Sequence, residues 1–104
     1  MRFRYLLVLF CLFWANEAGA DDDPLADLKR NQPKDVRELI DRLAYCSHWS
    51  GEEPYDAERG REIFQAMKDL RCDELEKDEA AALKRYARRP RTIKALQQAK
   101  TWSE

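Results

Sequence analysis

Cys46-Ser47-His48-Trp49-Ser50-Gly51-Glu52-Glu53-Pro54-Tyr55-Asp56 separates two strongly helical runs and carries the only histidine of the chain. Before it, Val36, Leu39, Ile40, Leu43 and Cys46 recur every three or four residues, which predicts a helix over about 34–48. Pro33 suits the first helical position, and Asp35 and Glu38 suit the early turns. Ser50-Gly51 stops that helix, and Pro54 keeps the next residues extended. Asp56 then supplies an N-cap. From Ala57 to Arg88 there is no proline, one glycine (Gly60) and a surplus of good helix formers.

The apolar face of this second run shifts partway. Ile63, Met67 and Leu70 form an early stripe with Phe64 beside it. Cys72, Leu75, Ala82, Leu83 and Tyr86 form a later one, turned by more than a quarter of the circumference. The run therefore meets two partners, or it kinks near residues 71–78. Pro90 opens a short third helix over about 91–101, with Ile93, Leu96 and Ala99 inward. There is no strand signal, so the fold class is all-α.

The chain begins with Arg2 and Arg4, an apolar run from Tyr5 to Trp14, and Ala18-Gly19-Ala20. These are the three parts of a secretory signal peptide, predicted to be cleaved after residue 20. Cys11 goes with the leader, since Val8-Leu9-Phe10 before it is too bulky for a lipobox. The 84 residues from Asp21 onward form one small domain with a marginal core, the size class that often carries a covalent staple. Residues 21–32 read as a flexible acidic segment in which Leu25 and Leu28 can dock one turn. Residues 33–104 read as the helical domain.

With the leader gone, Cys46 and Cys72 are the two cysteines of an exported chain and are expected to form a disulfide. Its geometry constrains the odd stretch. Cys72 lies about 24 Å along the second helix from Asp56, whereas bonded cysteines hold their Cα atoms about 5.5 Å apart. Residues 47–56 then run back along the second helix rather than forming a compact turn. Leu43 is expected near Leu75, and Val36 near Leu83 or Tyr86. Trp49 and Tyr55 are expected as lids over Ile63, Phe64 and Met67. The bridge is worth about 3.5 kcal/mol in the chain-entropy model.

The stretch also tempts chemical readings. A bonded Cys46 cannot serve as a nucleophile for His48 to activate. One histidine beside Glu52, Glu53 and Asp56 falls short of the three or four ligands of a stable zinc site. Adjacent Glu52 and Glu53 do not flank a cleft as glycosidase carboxylates must. The sequence thus reads as a non-enzyme with no cofactor and no metal site.

Charge is unevenly spread. Residues 21–79 hold 18 acids and 10 bases, whereas residues 80–104 hold 7 bases and one acid. The basic end, with Arg88 and Arg89 at its centre, folds back on the acidic first helix, is simply a solvated face, or faces an anionic membrane surface or envelope polymer. An exported protein meets no genome, so nucleic acid is not an expected partner.

The string Cys46-x-His48-Trp49-x-Gly51-Glu52-Glu53-Pro54-Tyr55-Asp56, with Lys68-x-x-x-Cys72 and Leu83-Lys84-Arg85-Tyr86, resembles a group of small exported proteobacterial proteins. The resemblance covers roughly residues 36–88 and implies a Gram-negative periplasm. It carries over no catalytic residue, ligand or partner.

The expected architecture is a disulfide-linked antiparallel helical hairpin with a short third helix, periplasmic or secreted. The expected function is binding of an envelope protein, in the manner of an inhibitor or immunity protein, through His48, Trp49, Glu52, Glu53, Tyr55 and nearby apolar residues of the second helix. The competing expectation is an envelope structural or stress factor using Arg88 and Arg89. The sequence sets no oligomeric state.

Overall fold

The computed structural model describes residues 23–102; the predicted leader lies outside them. The described residues are all helical: α1 (Ala26–Lys29), α2 (Lys34–Ser50), α3 (Ala57–Asp69), a 3-10 turn (Cys72–Glu74), α4 (Leu75–Arg85) and α5 (Pro90–Lys100). No helix among them is long and apolar enough to cross a membrane.

The amphipathic α2 is the axis of the core. Its inward stripe is Val36, Leu39, Ile40, Leu43, Ala44 and Cys46, all buried. Five of these positions follow from the three-and-four spacing; Ala44 joins them because small residues let a neighbouring helix approach. That neighbour is α5, which buries Thr92, Ala95, Leu96 and Ala99 and is the most extensive partner of α2. Ile93, expected inward, is only half-buried, and Ala95 takes the tighter place. Thr92 donates to Gln32 before α2, and Trp102 meets Tyr45 edge-on at 5.9 Å. The two helices therefore run parallel.

The segment read as flexible differs from that expectation from Asp23 onward. Leu25 is fully buried in the core, and Lys29 of α1 bridges Asp23 and Asp41. Asn31 enters α2 through a left-handed backbone (φ 62°), a conformation asparagine tolerates. One docked leucine and one paired lysine are enough to order this turn on α2.

The Cys46–Cys72 disulfide is present, with Cα atoms 5.7 Å apart and the cysteines 26 positions apart in sequence. It places the chain in an oxidising compartment outside the cytoplasm. The second helical run is not one bent rod but two helices. α3 ends at Asp69, and Arg71 adopts a left-handed conformation (φ 53°) before the 3-10 turn. A non-glycine residue there costs roughly 1–2 kcal/mol. Arg42 holds the break in place. Its Nε donates to the Leu70 carbonyl at 2.8 Å and its Nη2 to the Arg71 carbonyl at 2.9 Å. Nη1 bonds Asp78 at 2.8 Å.

Beyond the break, α4 pairs with α2 in opposite direction. Cys72 meets Cys46, Asp78 meets Arg42, and Arg85 and Tyr86 meet Asp35. Expected neighbours Leu75 and Leu83 are half-buried against the core, as is Tyr86. α4 itself buries only Glu79 and Ala82, and Glu79 is paired with Lys100 at 3.3 Å.

Two substitutions at the break have opposite expected effects. Arg42→Ala leaves two carbonyls and Asp78 without their donor and lowers stability by about 2–3 kcal/mol. Arg71→Gly relieves the left-handed backbone and raises it by about 1 kcal/mol. Urea unfolding of both variants with the disulfide intact measures the pair.

The far end of the α2–α4 pair carries a pH-sensitive latch. The Tyr86 hydroxyl and then Arg85 hold the Asp35 carboxyl below its ordinary value of 3.8. A lowered acid pKa stabilises the fold above the ordinary value, and that contribution is lost as pH falls through the lowered one. The melting-temperature gap between wild type and Asp35→Asn is therefore full at pH 6 and narrows below about pH 3.8.

Candidate functional site

The stretch that opened the reading folds as a tether around Trp49. α2 continues one turn past Cys46, so only Gly51–Asp56 connects it to α3. Asp56 caps α3 by accepting from the Arg59 backbone N–H at 2.7 Å. The Arg59 guanidinium lies over the Trp49 ring, 5.3 Å from its centroid, and bridges Glu52 at 3.5 Å and Glu62 at 2.9 Å. His48 stacks edge-on against Trp49 at 5.2 Å and reaches Glu52 at 3.3 Å. His48, Trp49 and Glu52 are thus brought together, and each is half-buried.

This arrangement corrects the expected lids. Residues 47–56 do run back along the second helix: Cys46 is tied to Cys72 beyond the end of α3, Ser47 and Ser50 stand beside Met67, Pro54 lies against Gly60, and Asp56 caps the start of α3. The face of the Trp49 ring meets Arg59, and Phe64, one of the residues it was expected to cover, is exposed. Tyr55 covers nothing and is 79% exposed. Glu53 is also exposed and stands outside the Trp49 cluster. No group of three or more potential metal ligands occurs among the described residues.

The early stripe of the second run is only partly covered. α3 buries none of its residues, although its spacing is strongly amphipathic. Ile63, Met67 and Leu70 are half-buried, and Phe64 is 60% exposed. Phe64 and Met67 line an apolar depression whose floor reaches Cys72, with Lys68 and Asp73 at its edges. Met67 and Cys72 also line an adjoining depression with Leu43, Ser47 and Leu75. Glu76, Glu79 and Lys100 complete the lining of that second depression, so the surface beside the disulfide is part apolar and part charged.

The sequence reading names apolar residues of the second helix as part of the binding surface but expects Trp49 and Tyr55 to cover Ile63, Phe64 and Met67. The periodicity of this surface was visible in Ile63, Phe64, Met67 and Leu70, but its exposure depends on where Trp49 and Tyr55 turn.

The basic end splits in two. Arg85 pairs with Asp35 and Lys100 with Glu79, so part of it does fold back on acids. Arg88 and Arg89 are exposed; Arg89 sits over the Tyr86 ring at 5.9 Å, and Arg88 makes no ion pair among the described residues. Compared with known protein families, curated proteins and solved structures, the chain matches none.

If Arg59 anchors the connection, Arg59→Ala should quicken amide hydrogen exchange over residues 52–62 and leave α5 unchanged. Equal exchange in the two proteins would show that Trp49 and Glu52 hold without it.

Proposed function

We propose that the protein is a small exported, non-enzymatic module that binds an envelope protein through Tyr55 and the apolar face of α3. After removal of residues 1–20 it would work in the periplasm as a disulfide-linked antiparallel helical pair with a further packed helix. The observation that carries the reading is the exposure of Phe64 and Tyr55 on elements that add nothing to the core. An exposed aromatic lining an apolar depression, as Phe64 does, is a usual anchor of a protein interface. His48, Trp49 and Glu52 then act as the frame that presents them, and Glu53 as a rim residue.

A second reading rests on Arg88, whose charge no acid neutralises among the described residues. With Arg89 it would contact anionic lipid or envelope polymer weakly, as a structural or stress factor.

The readings separate in one experiment. Phe64→Ala and Tyr55→Ala should leave the melting temperature within about 2 °C, since both side chains are exposed. They should abolish capture of the envelope partner, while Arg88→Ala/Arg89→Ala retains it. Retention in the first pair and salt-sensitive loss in the second would favour the anionic-surface reading.

A further inference from the structure

The charges of α3 are sorted around its open face. Arg61 and Lys68 stand one turn before and one turn after Phe64, on the same side of the helix. Glu62 and Asp69 lie on the opposite side, and Glu58 stands one turn before Arg61, farther from Phe64. Arg59, the remaining cation of α3, is committed to Glu52 and Glu62. Arg61 and Lys68 make no ion pair among the described residues, and both are exposed. Asp73 is the sole carboxylate lining the Phe64–Met67 depression, and Glu76 and Glu79 line the adjoining one on the side away from Arg61.

We infer that the α3 face is selective for an acidic protein partner: an apolar side chain of the partner enters the Phe64–Met67 depression, and flanking carboxylates pair with Arg61 and Lys68. The inference rests on the protein-binding reading above and names the chemistry of its partner. Two other occupants fit less well. A second copy joined by a two-fold axis through antiparallel α3 helices would set the Arg61–Lys68 edge against its own equivalent, placing like charges together. An anionic bilayer would face the acidic body of the domain, 18 acids against 10 bases over residues 21–79. A partner with local carboxylates meets only the basic edge.

The test places p-benzoylphenylalanine at position 64 of the full chain, exported in Gram-negative cells, and maps ultraviolet-induced adducts by mass spectrometry. The expected adduct is a protein segment with an apolar residue flanked by Asp or Glu. Its yield should fall at least about tenfold in an Arg61→Glu/Lys68→Glu background and stay level in Arg88→Ala/Arg89→Ala. An Arg61→Gln/Lys68→Gln background, which reverses no charge, should give an intermediate yield and guards against misfolding of the first variant. A protein adduct indifferent to both backgrounds overturns the acidic selectivity but leaves the protein-binding reading standing. Adducts with lipid or with a second copy overturn the inference in favour of those occupants. No adduct at all overturns the protein-binding reading itself.

Discussion

The covalent bond between Cys46 and Cys72, with Arg42 one turn earlier on α2, is the constraint on which the architecture depends. Residues 57–85 are rich in helix formers and contain no proline, so nothing in their composition alone requires a break. The break occurs where the disulfide ties the chain to α2 and where Arg42 gives the freed carbonyls of Leu70 and Arg71 a charged donor. Arg71 tolerates a left-handed backbone because both neighbours are fixed in this way.

The break divides labour between the two halves. α4 lies against α2 in a register set by Cys72, Asp78 and Tyr86. α3 departs from that register and touches the end of α2 through Arg59, Trp49 and Met67 while burying none of its own residues. Core stability is supplied elsewhere, by α2 against α5 and by Leu25 closing one end. The apolar face of α3 can therefore stay open without loosening the domain.

Much of this was legible from residue spacing. The stripe from Val36 to Cys46, the cap at Asp56, the change of face near residue 71 and the cysteine pair all follow from periodicity and compartment. The dominance of α5 was not legible, because the value of Ala44, Ala95 and Ala99 lies in permitting close approach and not in hydrophobic bulk. Nor was the position of Trp49. A cation on the next helix takes one face of its ring, and two glutamates hold that cation. Tyr55 and Phe64 are exposed where simple hydrophobic matching would have hidden them.

The most direct test of this account is hydroxyl-radical footprinting of the oxidised, purified protein, quantified residue by residue. Phe64 should react nearly as fast as Tyr55, while Leu25, Ile40 and Leu96 stay protected. Protection of Phe64 to the level of Leu96 would contradict the account, since it would mean that α3 turns its apolar face inward and that the disulfide junction does not hold it open.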